Sequence, residues 1–456
     1  MCVMFDMRLQ FRCAQGLLRH LWATTGRKIG RAATPRALES RLAAGQVRFM
    51  LSAPTDILVT GAGPAGLVAA IALARAGMSV TSVGRADEAA TGRTVALLDG
   101  SVRMLRRLDL WDALEPHAEA LLTMRIVDDT NSLFRTPPVD FEAAEIGLEA
   151  FGFNIALSDL VRELARAADA TTGLTRIAAK VAAVSFAPDA ATAVLDDDRS
   201  IAARLVVAAD GRDSLARKAG GIAAKRWSYE QTAITALLHH TRPHEYISTE
   251  FHTRQGAFTL VPLQDAAGVH RSSLVWMMAP REAKRRAALD DAALAAEIET
   301  QSRSILGRIT LGGPRGVFPI TGLSVSRLTA PRLALAAEAA HVFPPIGAQG
   351  LNLGLRDAAH LVDALRGVRD PGAPAPLAAY ARLRALDVTT RSMGVDALNR
   401  ALLIDMAPVD FLRGAGLLAL SAVGPLRRAV MRQGVMPSAG APALMRASGG
   451  DRALGL

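Results

Sequence analysis

The segment AEAAHVFPPIGAQGLNLGLRDAAHL, residues 337–361, combines two ionisable side chains with a rigid, glycine-rich loop. Glu338 and His341 precede a double proline, and Gly347 and Gly350 precede a run with the helical spacing of Leu, Ala and Val. Glycines at a helix entrance let backbone N–H groups approach a flat ligand, and the helix N-terminus favours negative charge there by about 0.3–1 kcal/mol. The nearby carboxylate can accept hydrogen bonds from hydroxyl groups. The segment therefore predicts a ligand with a flat, electron-rich ring and a hydroxylated chain.

A second segment, DILVTGAGPAGLVAAIALARAGMSVTSVGR at residues 56–85, predicts a strand, a glycine turn, a helix and another strand. An apolar run at 57–60 ends at glycines in G-x-G-x-x-G spacing, and Gly77 is placed to end the helix. Such glycines let the backbone turn tightly and approach a pyrophosphate that lies on the helix N-terminus. Because a predicted strand precedes these glycines and a predicted helix follows them, the spacing indicates a dinucleotide-binding turn. The predicted contacts are Gly61, Gly63, Pro64, Ala65 and Gly66.

The second strand of this unit ends without the acidic residue that ordinarily binds an adenosine ribose. Gly84 and Arg85 stand at that position. Asp87 or Glu88 is one substitute, and a different way of binding the ribose is another. Arg85 also leaves open a 2′-phosphate and, with it, a simple NADP reductase.

A third segment, LVVAADGRDSLARKAGG at residues 205–221, predicts a strand, a sharp turn at Asp210 and Gly211, and a short helix capped by Asp213 or Ser214. In an open parallel sheet the carboxyl ends of the strands form the ligand crevice. Three separate strand-to-turn units therefore indicate one long cofactor across the sheet edge, which fits FAD better than NAD. The other predicted contacts are Glu338, Pro345, Gly347, Gln349, Gly350, Leu351 and Asn352.

Composition excludes several classes of protein. The chain has 456 residues and a net charge of +10, of which residues 1–50 supply +7, and aromatic residues make up only 4%. The charge is therefore no sign of nucleic-acid binding. Cys2 and Cys13 are the only cysteines, which excludes a disulfide framework and a cysteine metal site. No apolar stretch reaches the length of a membrane-spanning helix.

Five stretches carry a resemblance to a known family. DILVTGAGPAGL, VVAADGRDSLAR and LALAAEAAHVFPPIGAQGLNLGLRDAA resemble the FAD-dependent aromatic hydroxylases, which are p-hydroxybenzoate-hydroxylase-like. WSYEQTAI and EFHTRQGAFTLVPL resemble the ubiquinone-biosynthesis branch of that family. The resemblance covers roughly residues 56–436. It implies that Arg93 lies near the FAD pyrophosphate and that Asp210 belongs to a motif serving both FAD and the nicotinamide donor.

This sequence departs from the family pattern at three places. Ala337 and Glu338 replace a Gly-Asp pair whose carboxylate binds the ribityl chain, Ala208 replaces a glycine, and Gly84 replaces the ribose-binding acid. The resemblance therefore implies the family's fold together with a cofactor site of altered detail.

The expected fold is α/β, with a Rossmann-like FAD-binding domain interleaved with a β-sheet substrate domain, followed by C-terminal helices. Met50 directly precedes the first strand, so the basic extension is either a mitochondrial presequence or the product of too early a start. The predicted segments are 1–50, the basic extension; 51–225, the FAD-binding domain with part of the substrate domain; 226–314, the β-sheet substrate domain; 315–369, the third FAD motif; 370–436, C-terminal helices; and 437–456, a loose tail.

The expected activity is that of an FAD-dependent monooxygenase that uses NAD(P)H and O₂ to hydroxylate the ring of a polyprenylated phenol in ubiquinone biosynthesis. Two alternatives remain: a flavin-binding accessory subunit of a quinone-biosynthesis complex, and an NADP-dependent reductase. The expected location is the cytoplasm, with peripheral contact with the inner membrane, or the mitochondrial matrix face if the extension is a presequence. Residues 411–435 predict either an interfacial helix with Arg427, Arg428 and Arg432 on anionic lipid, or a helix that covers the core.

No single acid or base is demanded by this chemistry, because the cofactor carries it. His341 is either a catalytic base or a packing residue bonded to the backbone. His239, His240 and Glu250 do not form a metal site, because no third ligand has suitable spacing.

Overall fold

The computed structural model describes residues 54–85, 92–130, 136–345, 347–385, 387–388, 416, 420, 422–435 and 440–447. The predictions for the basic extension and for Asp87 and Glu88 lie outside these residues, as does most of the segment 389–421.

Twenty strands are present in the described residues. In chain order they are β1 (Thr55–Thr60), β2 (Val80–Val83), β3 (Thr94–Leu98), β4 (Ala118–Leu121), β5 (Thr123–Asp128), β6 (Val139–Glu142), β7 (Gly152–Ala156), β8 (Leu174–Ile177), β9 (Val181–Phe186), β10 (Ala191–Leu195), β11 (Ser200–Ala208), β12 (Ala224–His240), β13 (Ile247–Thr253), β14 (Gly256–Ala266), β15 (Val269–Met278), β16 (Ile309–Leu311), β17 (Gly316–Val325), β18 (Thr329–Ala330), β19 (Leu333–Leu335) and β20 (His341–Val342).

The α-helices with defined bounds are α1 (Pro64–Arg75), α2 (Asp99–Arg107), α3 (Trp111–Leu114), α4 (Leu157–Ala170), α5 (Leu215–Ala219), α6 (Pro280–Ala287), α7 (Asp291–Gln301), α8 (Gln349–Leu365) and α9 (Gly424–Val435). Residues 374–385 are also helical. Short 3₁₀ turns occur at Glu115–His117, Ala143–Ile146, Ala337–Ala339 and Ala443–Met445.

The first sheet is the Rossmann-like core. Strands β19, β11, β1, β2 and β8 lie side by side in parallel, and the β9–β10 hairpin joins β11 in antiparallel fashion. Helix α1 packs on this sheet, and all ten of its residues from 65 to 74 are buried. Alanine and glycine allow this close packing, and alanine also has the highest helix propensity. The helix is buried on all sides because α4 and α8 pack against α1 as well.

The second sheet is larger and runs in the order β20–β17–β12–β15–β14–β13–β5–β6, with β16 beside β12. Its neighbours are antiparallel except for β13 and β5, which are parallel. Helices α6 and α7 cover one of its faces through a shared apolar cluster. The sheet takes strands from residues 123–142 and reaches residue 342, so it extends beyond the predicted range 226–314 on both sides. A small third sheet, β3–β7–β4, is formed within residues 94–156.

Three local predictions differ from the structure. The segment FNIALSDLVREL, residues 153–164, predicts a strand and a helix capped near Ser158, but α4 begins at Leu157 with Ala156 as its N-cap and no side-chain cap, so that cap is wrong. The sequence also predicts a helical stretch at 288–305, but α6 ends at Ala287 and α7 covers only Asp291–Gln301, where Asp290 caps α7 by accepting a hydrogen bond from Ala293 N. Within the tail predicted to be loose, the described residues 440–447 include a 3₁₀ turn whose Met445 is only 2% exposed.

Candidate cofactor and active site

The three predicted cofactor segments start from one edge of the first sheet. Thr60 at the end of β1 pairs with Ala208 at the end of β11, and Ala208 pairs in turn with Leu335 at the end of β19. Because these strands are parallel, the turns that follow them leave the sheet on the same side. The structure therefore places the glycine turn, the Asp210 turn and the Glu338 turn next to one another.

The glycine turn leaves an open helix N-terminus. Gly61 has φ +111°, and a Cβ there would lie 2.2 Å from Ala209 O, while a Cβ at Gly66 would lie 2.4 Å from Gly61 O. A Cβ at Gly63 would meet nothing within 4 Å. Gly63 is the N-cap of α1 and no side chain caps the helix, with Pro64 at its start and no acidic residue in its first turn. The backbone N–H groups of this turn suit a pyrophosphate.

The end of β2 explains why the ribose-binding acid is missing. A Cβ at Gly84 would lie 2.5 Å from Ala62 N and 2.7 Å from Ala62 Cβ. Glycine is therefore required by the close approach of the first turn. Arg85 forms an ion pair with Asp196 at 2.9 Å, so the side chain considered for a 2′-phosphate already has a carboxylate partner.

Asp210 holds the start of α5 and keeps one oxygen free. Its Oδ2 accepts a hydrogen bond from Leu215 N at 2.9 Å, and Ser214 caps the helix by accepting from Arg217 N at 3.0 Å. Gly211 completes the turn with φ +82°. Asp210 Oδ1 is buried and has no hydrogen-bond partner among the described residues. A buried carboxylate oxygen without a donor fits a hydroxyl group of a cofactor.

Glu338 lies exposed on the neighbouring turn. Ala337 has φ +52°, a left-handed conformation that favours glycine, and Gly354 makes room for its side chain because a Cβ at 354 would lie 2.8 Å from Ala337 Cβ. Arg212 Nη2 lies 3.3 Å from Glu338 Oε1, and both side chains are about half exposed. Such a pair is worth at most about 1 kcal/mol, so the carboxylate can still accept hydrogen bonds from a ribityl chain.

Helix α8 presents a second open N-terminus. Its N-cap Ala348 has φ +54°, no side chain caps it, and its first turn contains no acidic residue. Gly347 has φ +61°, Pro345 is exposed, and a Cβ at Gly350 would meet nothing within 4 Å. Uncapped N–H groups here suit the anionic edge of a reduced flavin.

Two predicted contacts in this helix shape the loop with their side chains. Asn352 Oδ1 accepts from Leu98 N and Ser101 Oγ, while its Nδ2 donates to Ala96 O and Ala348 O. These four bonds use the full hydrogen-bonding capacity of an amide side chain. Gln349 donates to Gly347 O, and Leu351 packs against the main apolar core. Asn352 thus acts by fixing the helix against β3.

Arg93 lies beside a contact between the third sheet and the second sheet. It is exposed and precedes β3, and its backbone oxygen accepts from Leu157 N. Its neighbour Thr94 donates to Ser273 Oγ on the second sheet at 2.8 Å.

A buried polar cluster next to the Glu338 turn was not predicted from the sequence. Asp357 accepts hydrogen bonds from Ala337 N at 2.8 Å, from His341 Nε2 at 2.8 Å and from Arg384 Nε at 2.6 Å. Burial alone would raise the pKa of Asp357, but the charge of Arg384 and the bonds from His341 and Ala337 hold it below its usual value. His341 is 3% exposed and bound to a carboxylate rather than to the backbone. Its contacts are those of a packing residue.

In the described part of the chain, no three His, Cys, Asp or Glu side chains are arranged to hold a metal ion.

Comparison with known proteins agrees with this geometry. The model of the FAD binding domain family matches residues 54–392. The chain is 34% identical to ubiquinone hydroxylase UbiL of Rhodospirillum rubrum, over 86% of this chain and 91% of that protein. It is 30% identical to 3-demethoxyubiquinol 3-hydroxylase of Escherichia coli, over 84% and 99% respectively.

Solved structures show the same fold at low sequence identity. The p-nitrophenol 4-monooxygenase PnpA of Pseudomonas putida aligns with a TM-score of 0.68 and 18% identity, covering 83% of this chain and 96% of that one. HpxO of Klebsiella pneumoniae, solved with FAD, aligns with a TM-score of 0.66 and 19% identity, covering 84% and 98%. Three motif turns at one sheet edge, the family match and full-length relatives agree, and the chain is a member of the FAD-binding-domain family of flavoproteins.

Proposed function

We propose that the protein is an FAD-dependent monooxygenase that hydroxylates the aromatic ring of a polyprenylated phenol in ubiquinone biosynthesis, with NAD(P)H as electron donor and O₂ as oxygen source. The observation that carries the proposal is the full-length similarity to two hydroxylases whose names place them in ubiquinone chemistry. The uncapped helix N-termini and the free carboxylate oxygen at the sheet edge support it.

The residues of the sheet edge would bind and orient the cofactor. Bound FAD would supply the redox chemistry: it would accept a hydride from the nicotinamide donor and activate O₂. The N-terminus of α1 at Gly63 would hold the pyrophosphate, and Asp210 and Glu338 would accept hydrogen bonds from hydroxyl groups. The N-terminus of α8 at Gly350 would stabilise negative charge on the reduced ring.

The second sheet would orient the substrate ring and exclude water. The face opposite α6 and α7 carries a compact apolar cluster of Tyr229, Ala233, Ala257, Met277 and Ile320, with Trp227 and Phe318 packed against it. Apolar walls with few polar groups are typical of sites for small aromatic ligands.

Purified protein tests the activity directly. We expect a flavin spectrum in the fresh protein, NAD(P)H oxidation that rises with a short-chain prenylated phenol, and one atom of ¹⁸O from ¹⁸O₂ in the product. A flavin that neither NADH nor NADPH reduces in the presence of the phenol would support the accessory subunit instead. Reduction by NADPH without oxygen incorporation would support the reductase.

We also infer that α9 contacts a membrane surface, where a polyprenylated substrate is dissolved. Val423, Leu426 and Val430 recur at helical spacing and are 45–47% exposed, and Arg428 and Arg432 are exposed beside them. This combination suits an interfacial helix on anionic lipid. No helix in the described ranges is long and apolar enough to cross a bilayer.

Arg427 does not belong to this surface. It bonds to Glu145 and to the backbone of Asp140, and its guanidinium lies 4.9 Å from the ring centre of Phe141. The guanidinium lowers the pKa of the Glu145 carboxyl. Arg427 therefore ties α9 to the second sheet, and only Arg428 and Arg432 remain for lipid.

A further inference from the structure

The second sheet has an inner face, defined as the face opposite α6 and α7. In neighbouring strands, paired residues lie on the same face. Val261 and Ser273 are paired, and Ser273 bonds to Thr94 of β3. The inner face therefore meets the FAD-binding part of the molecule.

Glu250 and His252 lie on this inner face. His252 pairs with Ala257, a member of the inner apolar cluster, and Glu250 pairs with Thr259. The two side chains are bonded, with His252 Nε2 lying 2.8 Å from Glu250 Oε1. His252 is 5% exposed, whereas the Glu250 side chain retains 20% exposure. The pair thus offers an accessible carboxylate backed by a buried imidazole.

Polar atoms around the pair lack partners. His252 Nδ1 and Asp128 Oδ2 are buried without a hydrogen-bond partner among the residues that the structure describes. Asp128 is in register with His252 on the neighbouring strand β5. Buried polar atoms without partners are uncommon in proteins and mark places where a ligand or water is bound. Here His252 and Asp128 share the inner face with Ala257, a member of the inner apolar cluster.

A short path links Glu250 to the flavin-binding helix. Ile126 is in register with Glu250 on β5 and packs against the apolar cluster that contains Leu98. Leu98 N in turn donates to Asn352 Oδ1 in the first turn of α8, at 2.8 Å. Glu250 therefore faces the side of the sheet from which a ring could reach both the sheet and the flavin.

We propose that Glu250 binds the ring hydroxyl of the phenolic substrate and accepts its proton, and that His252 is a positioning residue for that carboxylate; this rests on the proposed function. In the step, the phenolic O–H bond breaks, the proton passes to Glu250, and the electron pair stays on the phenolate oxygen. The phenolate enriches the ortho and para ring carbons in electrons, which favours attack by electrophilic oxygen. His252 donates from Nε2 and so fixes the orientation of the acceptor.

The test uses FAD-loaded protein and two probes: a phenol with one isoprenyl group, and its methyl ether. Binding is followed by the change in flavin absorbance, which requires no turnover. We expect the parent protein to prefer the phenol by about tenfold to a hundredfold, the range of hydrogen bonds to charged groups. Glu250→Gln should bind both probes equally and hydroxylate the phenol faster as the pH approaches the phenol's own pKa.

Matched controls come from a second carboxylate–histidine pair on the same sheet. Asp265 Oδ2 lies 2.7 Å from His270 Nδ1, at the opposite end of β15 from Met277. Asp265→Asn and His270→Gln should leave the preference for the phenol unchanged. His252→Gln, whose amide still donates, should keep much of the preference, and Glu250→Asp should retain part of it. FAD content checks that each variant is folded.

The outcomes separate this proposal from the proposed function. If the parent binds and hydroxylates the phenol but Glu250→Gln keeps the full preference over the ether, the assignment of Glu250 is refuted and the activity stands. If Glu250→Gln does not fold, Glu250→Asp provides the test. An Asp variant that still prefers the phenol over the ether as strongly as the parent does would refute the assignment, because the shorter side chain moves the carboxylate away from the ring hydroxyl. If the FAD-loaded parent binds neither probe and hydroxylates nothing, both proposals fail.

Discussion

His360 makes the stability of the protein depend on pH in a predictable way. The side chain lies on α8, is 2% exposed, and neither ring nitrogen has a hydrogen-bond partner among the described residues. Burial, followed by the charges of Arg384 and Arg356, lowers the pKa of His360 from 6.5 to about 4. Between these two values the unfolded chain binds a proton that the folded protein does not. Stability therefore falls as the pH falls from about 6.5 towards 4.

The size of the effect follows from the two pKa values. Their difference corresponds to roughly 3 kcal/mol when fully expressed, and to about 2 kcal/mol between pH 8 and pH 5. The substitution His360→Leu removes the titration. Because the ring nitrogens have no partner to lose, we expect the variant to be close to the parent at pH 8 and about 2 kcal/mol more stable than the parent at pH 5.

Urea unfolding at saturating FAD, from pH 8 to pH 5, measures this difference. Other titrating groups are common to both proteins and cancel in the comparison. Parallel loss of stability in the parent and in His360→Leu would refute the reasoning, because a buried neutral histidine cannot be removed without changing the slope.

Three further predictions concern the site and the membrane surface. Glu338→Ala should weaken FAD binding by about tenfold to a hundredfold, whereas Glu338→Asp should bind FAD at least nearly as well, as fluorescence titration will measure; equal affinities would remove Glu338 from the site. Gly354→Ala should destabilise the protein by about 1–3 kcal/mol through the contact with Ala337, and adding Ala337→Gly should restore part of the loss, whereas strict additivity of melting shifts would contradict that contact. Replacing Arg428 and Arg432 by glutamate should abolish flotation with anionic liposomes at unchanged FAD content, and unchanged flotation would return α9 to a purely structural role.

The parts of the site that the sequence predicts are those encoded locally. The glycine turn, the Asp210 turn and the entrance to α8 each occupy one short segment, in which φ angles, caps and spacing are set by neighbouring residues. The meeting of these turns at one edge follows from a general property of parallel sheets. The sequence also shows that the ribose-binding acid is absent, because Gly84 stands at its position. The reason for the glycine, the close approach of Ala62, is seen only in the structure.

The remaining features depend on contacts between distant parts of the chain. Asp357 and Arg384 are 27 residues apart, and no periodicity connects a carboxylate on one helix with a guanidinium on another. The side-chain bonds of Asn352 to Leu98 and Ala96 become visible only when β3 is placed beside it. From the sequence, Arg427 looks like one of three equivalent arginines, whereas the structure shows it bonded to Glu145. In each case the role of the side chain depends on a partner that is distant in the sequence and cannot be predicted from the local pattern.

The parallel pairing of β5 with β13 has a consequence for any attempt to divide the protein. These strands are more than 100 residues apart in the chain, yet their hydrogen bonds join residues 123–128 to residues 247–252. A fragment that ends at residue 225 would carry β5 and β6 with one side of the ladder unpaired, and a fragment that begins at residue 226 would expose the bare edge of β13. Open strand edges recruit other chains. The two halves therefore depend on each other to fold. We expect a cut chain to form the second sheet when both fragments are expressed together, and not when either is expressed alone.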